Sequence, residues 1–221
     1  VAWQKFLDHL ADYPLGSDPR AKALAGGALG EDVWAAGYLG DVDGSHNAED
    51  VWLNPVFPFE DWTLETHDPQ SDRIVWQLVQ RAPRFRTVLE GASLNTAIRT
   101  PLAAVRAGCG EQLPASLASY YAAFGPIANG LGLFEGGGRL DSQAHSIEAL
   151  GCISTMLQES LLQSVSPRPG QPEVISLLPA WPKDWQASFR LLARGGFLVS
   201  ASVQDGRVGA IEIHSRLGET C

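Results

Sequence analysis

The sequence has no apolar run near the roughly 20 residues that a bilayer-spanning helix needs. It also has no basic, then apolar, leader at its start. Positive charge is scarce: 16 Lys and Arg stand against 25 Asp and Glu, a formal net charge of -9. Nucleic acid and anionic membranes are met by basic patches, so neither is an expected partner. There are only 3 cysteines, Cys109, Cys152 and Cys221, and they show no C-x-x-C spacing. An odd number without ligand spacing points to neither a disulfide framework nor a thiolate metal centre. No G-x-S-x-G elbow, P-loop or dinucleotide fingerprint is present, and Gly136-Gly137-Gly138 follows Phe134-Glu135 with no strand before it. Asp41-Val42-Asp43-Gly44-Ser45-His46-Asn47-Ala48-Glu49 has its glycine too early for a calcium loop and reads as a surface turn. No metal and no cofactor is expected.

What is present suits a globular chain. The 221 residues are 45% hydrophobic and 19% charged, which excludes wholesale disorder. The 7 tryptophans are more telling. A Trp ring supplies the largest flat apolar face for stacking on a sugar, although it also fills cores. The chain opens Val1-Ala2-Trp3 without an initiator Met, as expected of a processed or excised piece. Its compartment is left open, with a secreted or periplasmic one favoured.

Helical periodicity is read at Ala2 to Leu10, at Asp72 to Gln80 with Asp72 as the cap, at Thr96 to Ala107 and at Pro114 to Phe124. From Ser17 to Gln70 the pattern is irregular, and Asn54 to Trp62 reads as a lining loop. The longest helix begins near Gln143 and carries Ile147, Leu150, Ile153, Met156, Leu157 and Leu161 at helical spacing. A linker from Val165 to Glu173 follows. Strands are then predicted at Val174 to Leu178, Phe189 to Ala193, Phe197 to Val203 and Val208 to Ile213, with Asp205-Gly206 as a hairpin turn. Helices first and strands afterwards predict a mainly α fold with a β appendage.

Within the long helix, His145 and Glu148 stand three apart near the N-terminus and so share a face. A carboxylate there is held ionised by the helix dipole, which suits a general base. It equally suits a first-turn Glu that caps the helix. For a second carboxylate the chain offers Glu49, Asp50, Glu60 and Asp61, all near tryptophans and all with the plainer reading of solvated loop charges.

Three stretches together form a pattern: Glu159-Ser160-Leu161-Leu162-Gln163-Ser164, then Val174 through Pro179-Ala180-Trp181-Pro182-Lys183-Asp184-Trp185, then Ala193-Arg194-Gly195-Gly196-Phe197. The pattern resembles the junction of catalytic barrel and C-terminal β-domain in family 95 of the glycoside hydrolases, the α-L-fucosidase and α-L-galactosidase family. The resemblance spans roughly Gly132 to Ser215. It implies that residues 1–165 are later helices of an (α/α)6 toroid and that 166–221 begin an antiparallel β-module. It further implies inverting hydrolysis of a neutral, fucoside- or galactoside-like glycan, with an oligosaccharide or polysaccharide and the remainder of the catalytic domain as partners.

In that family an I-D-x-N-F-G stretch opens the same helix, and its Asp is implied to be the base. Ungapped matching places that Asp on Glu148 within Ile147-Glu148-Ala149-Leu150-Gly151. Glu is one methylene longer, and Ala149-Leu150 replaces the Asn-Phe pair. The general acid and the water-holding Asn residues are expected before Val1. His145, Trp52, Trp62 and His46 are the expected sugar-binding residues. The alternatives are a non-catalytic carbohydrate-binding or structural chain, or another (α/α)-barrel enzyme such as a phosphorylase or a lyase.

Overall fold

The computed structural model describes residues 2–10, 12–13, 15, 34, 53–66, 68–81, 99–124, 132–133, 145–168 and 170–221. Two compact units divide the chain, Val1–His46 and Asn47–Cys221. The first holds helix α1 (Ala2–Leu7), which is shorter than the periodicity predicts. Trp3 and Phe6 on it and Leu10 beyond it are exposed, and Trp3 meets Phe6 edge to face at 6.0 Å. Leu15 and Trp34 form an antiparallel bridge, and Tyr13 packs on Trp34 at 5.6 Å.

The second unit opens on the loop 53–66 and continues into α2 (Pro69–Arg81). The cap of α2 is Asp68. Its carboxylate accepts the Gln70 and Ser71 N–H groups at 3.3 Å each, and the Ser71 hydroxyl as well. Pro69 then occupies the first helical position, where its missing N–H costs nothing. Ile74, Val75 and Val79 are buried on one face. Asp72, the cap expected from the sequence, is drawn away to another partner, described below.

Helix α3 (Arg99–Arg106) is the most deeply buried element described. Leu102, Ala103, Ala104 and Val105 are buried, and Pro101 is accommodated in its first turn. Gly108, at φ +80°, ends the helix. Its N–H donates to the Val105 carbonyl and the Cys109 N–H to the Ala104 carbonyl, both at 2.9 Å. That pair of bonds is the Schellman stop, which needs a residue free to turn left-handed. A 3-10 turn (Gly110–Gln112) leads into α4 (Leu113–Phe124). A short ladder pairs β1 (Gly132–Leu133) with β2 (His145–Ser146). Then comes α5 (Ile147–Leu161). Leu102, Val105, Leu113, Ile153, Met156 and Ala180 form the core between α3, α4 and α5, and Trp181 and Trp185 pack against it.

Helix α5 passes without a break into β3 (Leu162–Val165), which pairs antiparallel with β4 (Val174–Leu177). A four-stranded antiparallel sheet follows: β5 (Ala187–Ala193), β6 (Phe197–Gln204), β7 (Arg207–Val208) and β8 (Glu212–Ser215), with β6 central. Asp205 and Gly206, at φ 50° and 70°, make the two-residue turn predicted between β6 and β7. Leu162, Ala193 and Val199 form a second core that joins the β3–β4 hairpin to one face of this sheet.

The mainly α expectation is therefore corrected. With 36% helix and 25% strand, the arrangement is α+β, and no (α/α)6 toroid is shown. Five α-helices are present among the described residues, and they pack against a hairpin and a sheet. The physical reason lies at the end of α5. Leu162, Gln163 and Val165 are buried in a strand ladder where the sequence reads as helix end and linker. The boundary expected after residue 165 thus falls between two paired strands.

Candidate functional site

The loop 53–66 is held by its own backbone. The Val56 and Phe57 N–H groups donate to the Leu53 carbonyl at 2.9 and 3.0 Å, and the Trp62 N–H donates to that of Pro55 at 2.9 Å. Leu53, Val56, Trp62 and Thr63 are buried beneath it. At the rim Glu60 sits at φ 59°, a conformation that costs a non-glycine residue roughly 1–3 kcal/mol. What offsets the cost is the position of its carboxylate.

That carboxylate lies between two arginines. Arg194, on the 3-10 turn joining β5 to β6, donates from Nη1 to Oε2 at 2.7 Å and from Nη2 to Oε1 at 2.5 Å. Arg106, at the C-terminal end of α3, donates from Nη1 to Glu60 Oε1 at 2.6 Å and from Nη2 to Glu159 Oε1 at 2.7 Å. Its guanidinium also covers the Phe57 ring, 5.2 Å from the centroid. The Arg106 side chain is only 10% exposed, against 44% for Arg194. Burial is the largest single influence on Glu60 and pushes its carboxyl up. The hydrogen bonds and charges of Arg194 and Arg106 together outweigh it and hold the group below the ordinary carboxylate range. Arg194 is correspondingly raised, first through its hydrogen bond to Glu60.

The cluster ties together the loop, α3, α5 and the β5–β6 turn. A neighbouring bond extends the brace: Gln163 on β3 donates from Nε2 to the Val105 carbonyl at 3.1 Å, filling one of the last acceptors of α3. Chemically the cluster is a clamp. A carboxylate held ionised, with both oxygens on guanidinium N–H groups, is no proton donor at neutral pH. Glu60 is thereby removed from the candidates for a general acid.

The residues proposed from the sequence fall in different places. Glu148 is the second residue of α5, in its first turn. His145 is not on that helix but on β2, paired with Leu133. Trp62 is only 3% exposed, and its indole N–H donates to Asp72 Oδ1 at 2.7 Å. Its face is covered by protein, so it packs the loop and offers a sugar nothing to stack on. His46 and Trp52 lie outside the described residues, as do Glu49 and Asp50, and Asp61 is exposed.

Sequence reasoning missed Arg106 and Arg194. The one signal for Arg106 is a lone guanidinium within the apolar run from Leu102 to Ala107, since a charge so placed is buried only when paired. Arg194 falls within the Ala193–Phe197 junction stretch, where nothing marks it as an ion-pair partner. No group of three or more His, Cys, Asp or Glu side chains able to hold a metal ion occurs among the described residues. No described helix is long and apolar enough to cross a membrane.

No protein-family model, curated protein or solved structure matches this chain.

Proposed function

We propose that the chain is part of a glycoside hydrolase. It acts on a neutral, fucoside- or galactoside-like sugar by inverting general acid/base hydrolysis, with Glu148 as the base. The observation that carries this reading is the junction segment from Glu159 to Phe197, whose motifs resemble family 95. Helix α5 joins it to Glu148 in unbroken register, about three turns before Glu159.

A first-turn carboxylate is favoured in its ionised form by the helix N-terminus. A base that takes a proton from water at neutral pH needs that form. Such a base must also be held steady, because a displacement of about 1 Å costs on the order of 100-fold in rate. The Arg106–Glu159 ion pair supports such rigidity by fastening α5 to α3. An inverting pair of carboxyl groups stands about 6.5–9.5 Å apart with the attacking water between them. Glu60 does not serve as the second member. His145, two residues before α5, is proposed to contact the sugar.

The test is hydrolysis of α-L-fucosides and galactosides by the enzyme that carries this chain, with the first-formed anomer read by NMR. Release of the sugar with inverted configuration supports the reading, and retention of configuration overturns it. One observation favours a second reading, a chain that binds sugar without turnover: Glu148-Ala149-Leu150 stands where the family's I-D-x-N-F-G stretch has its Asp and its Asn-Phe pair. Glycan binding without release of free sugar, measured on one preparation, selects that alternative.

A further inference from the structure

The clamp around Glu60 begins and ends on one continuous stretch of chain. Arg194 donates its backbone N–H to the Ser164 hydroxyl on β3 at 3.1 Å. Its guanidinium donates to both oxygens of Glu60. Arg106 donates to the same carboxylate and to Glu159 on α5. Ser164 and Glu159 flank the joint at which Leu161 ends α5 and Leu162 begins β3. The bonds therefore cross that joint as a splint, from strand through Arg194, Glu60 and Arg106 back to helix. The joint is also fastened by the segment after β4. There the Leu178 and Ala180 N–H groups donate to the Leu161 and Ser160 carbonyls at 2.7 and 3.3 Å.

Apolar packing alone does not set the angle of α5. Ile153 and Met156 bury one face of it in the core, but burial is non-directional. Charge-assisted bonds from a planar guanidinium fix direction as well as distance. Arg106 places one Nη on each of two carboxylates, so its orientation depends on where Glu60 stands. Arg194 grips both oxygens of Glu60, whereas Arg106 meets it at Oε1. Arg194 is thus the first member of the series, and α5 the last. The lever is long. At ~1.5 Å per residue Glu148 lies about 20 Å from the joint, so a swing of about 3° moves it by roughly 1 Å. A shift of that size costs on the order of 100-fold in rate.

We propose that Arg194 is a positioning residue for the reaction, acting through Glu60 and Arg106 on the aim of α5 and so on Glu148; the inference rests on Glu148 being the base. The experiment measures kcat, KM and urea unfolding in the full-length protein on α-L-fucosides and galactosides. The variants are Arg194→Ala, Arg194→Lys and Glu60→Gln, each with and without Glu148→Gln. Arg194→Ala is expected to stay folded and to lower kcat about tenfold with KM within about twofold. Glu60→Gln breaks the same path from the loop side and is expected to do likewise, so the comparison does not depend on one variant folding. Arg194→Lys keeps the charge without the two-pronged grip and is expected to recover part of the loss. Beside Glu148→Gln, Arg194→Ala is expected to add less than about twofold, because the group it positions is gone. An undiminished kcat for Arg194→Ala, with Glu148→Gln at least about 100-fold down, overturns the positioning role and leaves Glu148 as the base. So does an equal loss from Arg194→Ala in both backgrounds. A loss of only a few-fold for Glu148→Gln, or no hydrolysis by the unmodified protein, overturns the base assignment and this inference together.

Discussion

Arg194 and Glu60 are 134 residues apart in sequence and meet through two parallel hydrogen bonds of 2.7 and 2.5 Å. Arg106 shares one oxygen of the same carboxylate and passes the connection on to Glu159 on α5. The clamp closes the contact between the helices and the sheet, and the two arginines do not contribute equally to it. Arg106 is buried and serves two carboxylates, whereas Arg194 is nearly half exposed and serves one.

Arg106→Ala leaves Glu60 and Glu159 partly buried without their shared cation. Breaking a buried pair in this way costs about 3–5 kcal/mol. Arg194→Ala is expected to cost about 1 kcal/mol or less, as for exposed ion pairs. Urea unfolding of the two variants checks the order. Equal losses, or a larger one for Arg194, contradict it.

Acid should weaken the clamp through Glu60. Its folded carboxyl is held below the ordinary value, so its contribution is fully present above the unfolded glutamate value of about 4.3. It is lost as pH falls through the lower folded value. Glu60→Gln removes this dependence and is expected to flatten the acid limb of stability against pH. Parallel acid limbs for the two proteins tell against it.

Two glycines give opposite expectations for the same methyl group. A Cβ on Gly110 sits 2.3 Å from the Ala180 carbonyl oxygen, with backbone on both sides. Gly110→Ala should therefore destabilise by about 1–3 kcal/mol or more. A Cβ on Gly151, inside α5, meets no atom within 4 Å. Gly151→Ala should stabilise by about 0.5–1 kcal/mol. Thermal unfolding of both decides the matter, and a stabilised Gly110→Ala would show that 110 and 180 are not in contact.

Local features were the legible ones. The helices at α2, α3 and α4 announce themselves by spacing, and the β6–β7 turn by Asp205-Gly206. Two errors came from competition between neighbours. Asp68 and Asp72 both suit a helix start, and Trp62 takes Asp72. Leu161 and Leu162 are adjacent, so helix passes into strand with no turn residue to mark the change, and the β content was underestimated. The clamp was hidden for another reason. Arg106 and Arg194 acquire meaning only through a glutamate 46 and 134 residues away, and no local period encodes that pairing.

The most direct test of the proposed catalytic reading is Glu148→Gln in the full-length protein, assayed at saturating substrate with binding measured in parallel. A base lost from an inverting site should lower kcat by at least about 100-fold while the substrate still binds. A loss of only a few-fold, with binding unchanged, contradicts the assignment of Glu148 as the base.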